Sequence, residues 1–209
     1  MGPANGGCAI GSLNGSRQRI TAGITTTMNT VANYQSVEQL RDRRAVTIRA
    51  IKPGDKTLLR EAFKKLDDTS IRLRFFGPKM ELTDQELIQA TEIDFVRNVA
   101  LVTCVQESAR ERIIGVGRYI TYEERRPPLT AEVAFIVEED FHGQGTASIL
   151  FRHLVLIGRE QGVSRFAAEV LPGNQTMLKV FDRAGLPIET KASTDCVHVT
   201  IFLNNDARS

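Results

Sequence analysis

The chain lacks any apolar run approaching the ~20 residues that cross a bilayer, and its N-terminus lacks the basic-then-apolar order of a secretory signal. A soluble protein with no membrane partner is expected. Cysteine is scarce: Cys8, Cys104 and Cys196 are widely spaced, odd in number and without the close pairing of metal ligands. That pattern points to a reducing cytoplasm and to no bound metal, with Cys104 and Cys196 packed as small hydrophobes inside apolar runs. An excess of one charge is also missing. The 27 Lys and Arg against 25 Asp and Glu leave a net +2, which argues against a dedicated nucleic-acid binder and confines any basic surface to a local patch. Met1-Gly2 opens like a myristoylation site, but Gly6 stands where that motif needs Ser or Thr.

What is present is 42% hydrophobic content in 209 residues, enough for one buried domain with extensions. Residues 1–30 are rich in Gly, Asn, Ser and Thr and read as a disordered leader. Val31, Tyr34, Val37 and Leu40 fall one per helical turn, so a short docking helix is expected between Thr30 and Arg44, with Arg41 to Arg44 as a solvated charge cluster. These segments make a leader over 1–45, and the folded domain is expected over 46–209.

VTIRAI at Val46 alternates like a half-buried strand, and Asp55 is placed to cap the helix of Leu58, Leu59, Ala62, Phe63 and Leu66. A second helical piece, SIRLRFF, is broken by Gly77-Pro78, and Thr83 opens a third helix at DQEL. VALVTCV and IIGVGRYI read as a hairpin in which Gly115 and Gly117 face one side and leave room for packing or a bulge. A polar loop from Glu123 to Thr130 follows.

The segment of greatest interest is AEVAFIV, apolar from Ala131 to Val137 apart from Glu132, which reads as a strand buried on both faces. Gly143 and Gly145 then flank Gln144, and a long helical pattern begins at once. Glycine lets the backbone turn tightly, and the first N–H groups of the helix have no intrahelical partner, so this turn suits a diphosphate. After Gly162 come a strand RFAAEVL, a helix opened by Pro172-Gly173-Asn174 and closed by Gly185, and two last strands, the clearer being CVHVTIFL. The order describes an α/β (α+β) fold on a mixed sheet, and not a repeat or a doubly wound one.

His142-Gly143-Gln144-Gly145-Thr146-Ala147 resembles the Gln/Arg-x-x-Gly-x-Gly/Ala signature of the GNAT superfamily of N-acetyltransferases, with His142 replacing the usual first residue. A second landmark of that family is an Asn opening the next helix and a small-Gly pair closing it, here Asn174 and Ala184-Gly185. The resemblance spans residues 46–203. Within the superfamily, SIRLRFFGPKMELTDQEL, IIGVGRYI, AEVAFIV and LPGNQTMLKVFDRAGL look most like the acetyltransferase domain of bacterial Pat-type protein-lysine acetyltransferases. The cyclic-nucleotide-binding or synthetase-like regulatory domains of many such enzymes are not expected, because no segment is long enough for either.

The resemblance implies a mostly antiparallel sheet of about six to seven strands flanked by about four helices and splayed at the acetyl-CoA site. It implies acetyl-CoA as co-substrate and a protein acceptor such as an acyl-CoA synthetase. The pantetheine would pair with backbone groups of Ile136 and Val137. The diphosphate would meet Gly143, Gln144, Gly145, Thr146, Ala147 and Ser148 with His142 beside it, and Asn174 would bond the pantetheine arm. An N–H near Phe135 would meet the oxyanion. A lysine of pKa ~10.4 must lose a proton before attack, and Glu132, the single charge in its strand, is the first candidate base, its pKa raised by partial burial. Glu169 is a secondary candidate. Phe181 occupies the position of a Tyr that protonates the thiolate in many relatives, so no acid is expected there. His153 reads as a surface or packing residue, His198 as facing solvent or a helix edge, and Arg74 and Phe75 as acceptor-side or rim residues. A small-molecule amine acetyltransferase and a non-catalytic acyl-CoA sensor are the alternatives, the latter motivated by His142 and Phe181.

Overall fold

Two long strand patterns form the middle of the sheet. The computed structural model describes residues 31–108, 110–122 and 129–204. The expected leader over 1–30 and most of the loop before Thr130 lie outside them. Strand β3, Asn98–Glu107, and β4, Arg110–Thr121, pair antiparallel as expected, with an irregularity between Thr103 and Cys104. Outward from β3 lie β2, Ala45–Ala50, and β1, Gln35–Gln39; outward from β4 lie β5, Thr130–Val137, and β6, Arg165–Val170. Strands β7, Ile188–Ala192, and β8, Val197–Phe202, complete an eight-stranded sheet of order β1-β2-β3-β4-β5-β6-β8-β7. Among the described residues only β5 and β6 pair in parallel.

The sheet is thus larger than expected. The extra strand is β1: where a docking helix is expected, a 3-10 turn, Val31–Asn33, leads into a strand paired with β2 from Gln35↔Arg49 to Gln39↔Ala45. Tyr34 and Leu40 are buried but Val37 is 70% exposed, so the helical spacing is coincidental and backbone pairing along β2 prevails.

Among the described residues five helices cover the sheet, against about four expected. One face carries α1, Lys56–Phe63, α2, Asp68–Phe75, and α3, Asp84–Thr91; the other carries α4, Thr146–Glu160, and α5, Gln175–Asp182. The α3 start is a reciprocal capping box, Thr83 Oγ1 accepting the Glu86 N–H and the Glu86 carboxylate accepting the Thr83 N–H. Asp55 does not cap α1 with its side chain. Its fully buried carboxylate accepts from Arg49 Nη1 and Nη2 at 2.7 and 2.9 Å and from the Lys52 N–H, while Glu111 engages the same guanidinium. Arg49 is therefore buried, and β2 is not the half-wet strand its alternation indicated.

On the other face α4 lies close against β4. A Cβ on Gly117 would meet the Phe135 ring at 3.0 Å and Leu150 Cβ at 3.2 Å, and one on Gly115 would meet Thr146 Cγ2 at 3.0 Å. Both glycines serve packing. His153, in the middle of α4, is a buried packing residue: Tyr34 O–H donates to Nδ1, and Nε2–H donates to Glu38 at 3.0 Å. Among the described residues no helix is long and apolar enough to cross a membrane.

Candidate active site

Strands β5 and β6 pair only from Thr130↔Arg165 to Glu132↔Ala167, then diverge, although β5 continues to Val137 and β6 to Val170. Below this splay Phe135, Phe151 and Phe181 pack ring against ring. Beyond it opens a groove of about 320 Å³, lined along one side by Phe135, Ile136 and Val137 and at its end by the turn before α4. Gly143 and Gly145 have φ of +73° and +95°, conformations that a side chain strains. Gly145 is the N-cap of α4, so the N–H groups of Thr146, Ala147 and Ser148 lack intrahelical acceptors; these three residues line the groove, as do His142, Gly143, Gly145 and Asn174.

Gln144 is the exception. Its side chain points to the β1–β2 turn, where Oε1 accepts the Asp42 N–H at 3.2 Å, while its carbonyl accepts the Arg41 N–H and Arg41 Nη1 donates to the Gly143 carbonyl at 2.7 Å. Gln144 therefore supports the turn and does not face the groove. The cluster from Arg41 to Arg44 is exposed as expected, but it forms the β1–β2 turn and not a linker, and Arg41 lines the groove with Arg74, Lys179 and Arg183. This is the local basic patch that the small net charge leaves room for, and it suits a polyanion.

The family model of the acetyltransferase (GNAT) family matches residues 68–186. The chain belongs to the GNAT acetyltransferase family. It is an acyltransferase by that membership. It is similar to the GNAT domain of S. lividans PAT, at 32% identity, 80% of this chain and 96% of that one, with a TM-score of 0.73. Acetyltransferase PA5475 of Pseudomonas aeruginosa is 29% identical over 141 residues, 68% of this chain and 74% of that protein. Acetyltransferase Pat of Mycolicibacterium smegmatis is 29% identical over 147 residues, 70% of this chain but 43% of that protein, so the chain spans less than half of it.

In this GNAT chain the backbone of β5 is divided between its two edges. Glu138 N–H donates to the Ile114 carbonyl, and antiparallel alternation then commits Ile136 to β4 and turns Phe135 and Val137 toward the open edge. Ile136 contributes its side chain to the groove, not the expected backbone pairing. The Val137 carbonyl is also taken: His142 Nε2–H donates to it at 2.8 Å. His142 thus caps the strand edge. Asn174 caps α5, its Oδ1 accepting the Met177 N–H at 3.0 Å, which leaves its amide N–H groups for a ligand.

A second cavity of about 240 Å³ lies between α1–α3 and β4–β5 and shares Ile136 and Arg74 with the groove. It explains why β5 is not buried on both faces: Ala134 and Ile136 line a cavity and Glu132 is exposed, while Val133, Phe135 and Val137 enter the core. The partial burial expected to tune Glu132 is absent, and Glu132 lines neither cavity. Its charge nevertheless bears on Arg74, Arg118 and Tyr122 at the splay. Nothing in the sequence sets Glu138 apart from its acidic neighbours Glu139 and Asp140. Glu138 lines the second cavity, burial raises its pKa against the opposing Arg112 ion pair, and its buried Oε2 has no partner among the described residues.

Glu169 is exposed beyond the splay, 3.5 Å from His198 Nδ1, and His198 Nε2 lies 3.4 Å from Cys196 Sγ. Phe181 is buried in the aromatic cluster and carries no proton to donate. Burial pushes the Cys104 thiol up to about 12, in keeping with its packing role.

Proposed function

We propose that the chain transfers the acetyl group of acetyl-CoA to the ε-amine of a protein lysine by direct attack. The carrying observation is the coincidence, where β5 and β6 part, of a strand edge left without a neighbouring strand, a helix N-terminus in a basic groove, and a second cavity joined to that groove at Ile136. In this reading the diphosphate meets the N–H groups of the turn and of Thr146 to Ser148, and the pantetheine runs along the Phe135 and Val137 edge. The thioester then lies at the junction of the two cavities.

Glu132, directly or through water, takes the proton of the incoming ammonium, and the neutral nitrogen attacks the thioester carbon. The Phe135 N–H meets the oxyanion, which collapses with expulsion of CoA thiolate. With Phe181 in place of a proton donor, the thiolate, whose thiol pKa is near ~8.5, leaves without side-chain assistance. No metal enters this chemistry. The lysine acceptor is supported by the likeness to the PAT domain and to Pat, and an acyl-CoA synthetase is the protein substrate to try first. The second cavity, apolar over most of its wall, favours one alternative, a small-molecule amine.

The test is release of free CoA from acetyl-CoA with lysine peptides, an acyl-CoA synthetase and small amines as acceptors. Glu132→Gln is expected to lower kcat about a hundredfold or more at neutral pH with unchanged acetyl-CoA affinity. Undiminished turnover would remove Glu132 and turn attention to Glu138. Binding of acetyl-CoA without turnover of any acceptor would identify a sensor.

A further inference from the structure

Two guanidinium groups stand beside the proposed reaction centre, and among the described residues neither is in direct contact with a carboxylate, although the Glu132 charge acts on both. Arg118 of β4 is opposite Ala134 and diagonal to Glu132 on the α1–α3 face of the sheet, and Arg74 of α2 lines the same cavity. Both are half-buried, and among the described residues neither forms an ion pair. Arg118 Nη2 donates to Asn98 Oδ1 at 2.9 Å, but its buried Nε has no partner among those residues. Elsewhere on this face the rule is different: Arg49 meets Asp55 and Glu111, and Arg112 meets Glu107 and Glu138. Desolvation pulls both Arg74 and Arg118 below the ordinary guanidinium range, the Arg74 charge lowers Arg118 further, and the opposing Glu132 charge does not restore either, so the two are near enough to repel.

Like charges held together and partly out of water are unfavourable until an anion joins them. A carboxylate matches the fork of each guanidinium. The rest of the cavity wall carries Glu86, paired with Lys79, Glu138, paired with Arg112, and Gln89, and between them Ala62, Leu82 and Ile113 give an apolar stretch that suits a short aliphatic arm. We propose that Arg74 and Arg118 form a carboxylate subsite for the acceptor, so that the preferred lysine has an acidic residue at the adjoining position of its peptide. This rests on the reading that acetylation of a lysine takes place beside Glu132.

Two peptides identical except for Glu or Gln next to a central lysine, together with free glutamate, test it. Wild type is expected to acetylate the Glu peptide with kcat/KM about tenfold above the Gln peptide, and Arg118→Gln to bring the ratio near one. Arg118→Lys, which keeps the charge without the fork, is expected to retain part of the preference and guards against a folding defect. Acetyl-CoA affinity, read by calorimetry, is expected to be the same in all three proteins. Equal rates for the two peptides in wild type, or an unchanged ratio in Arg118→Gln, would overturn the subsite. Arg118-dependent acetylation of free glutamate with neither peptide reacting would keep the carboxylate subsite and overturn the protein-lysine acceptor. If neither the Glu peptide nor glutamate binds the CoA-loaded protein in calorimetry, the subsite is wrong whatever the acceptor.

Discussion

The two faces of the sheet are built on different principles. The α4–α5 face holds the larger apolar cluster, from Val46 and Ile48 through Phe135 and Leu154 to Phe166 and Ile201. Its buried polar groups there are mostly neutral and paired, as in Tyr34 with His153 and Tyr119 with Gln161. Glycines at 115 and 117 bring α4 close to β4, which fixes the helix N-terminus against the groove. The α1–α3 face holds a smaller apolar cluster around Ile51, Leu87 and Val102, an open cavity, and charges both matched and unmatched. In the proposed reading the contrast is a division of labour, with the donor site on the closely packed first face and room for an acceptor on the second.

The largest effect should come from the matched charges of the second face. Asp55→Ala leaves the Arg49 guanidinium buried with only Glu111, and is expected to cost about 3–5 kcal/mol in urea unfolding. A cost under about 1 kcal/mol would mean that the network does not hold β2 to β4. Next comes close packing on the first face. Gly117→Val drives a branched side chain into Phe135 and Leu150 and should cost about 1–3 kcal/mol, with acetyl-CoA binding weakened as α4 shifts. Retained stability would show that α4 is less tightly seated than the contrast requires.

The smallest effect is a pH dependence of the first face. Desolvation, the largest cause, holds the His153 pKa below its ordinary 6.5 despite Glu38. A depressed folded pKa means that the unfolded chain binds the extra proton, so stability rises with pH. This contribution is fully present above pH ~6.5 and is lost as pH falls through the lowered folded value. Urea midpoints measured from pH 5 to 7.5 should fall toward acid in wild type and flatten in His153→Gln. An equal slope in both proteins would show that the histidine is not held neutral in the core.

The first face was largely legible in the sequence because its signals are local: the positive-φ glycines before α4, the periodicity of the helix and the apolar strands β3 to β5. What escaped reading depended on partners distant in the chain. Gln144 meets Asp42 across 102 positions, and Arg41 looks like part of a linker until β1 is placed beside the turn. β1 itself was hidden by helical spacing around Val37. The second face was harder still, because Ala134 and Ile136 have core composition yet line a cavity, and nothing near Arg74, Arg118 or Glu138 marks them as its polar wall. GNAT membership was readable from the turn and Asn174 together. The departure at His142 acquires a physical sense only in three dimensions, where the ring caps the Val137 carbonyl.

The proposed donor site is tested most directly by calorimetric titration of acetyl-CoA into wild type and Gly145→Val, with Gly162→Val as control. Gly162 also has positive φ, +78°, with open space around it at the far end of α4, so the control carries similar backbone strain away from the groove. If acetyl-CoA lies across the turn before α4, Gly145→Val should bind it at least about tenfold more weakly while Gly162→Val binds like wild type. Equal affinity in all three proteins would contradict that placement.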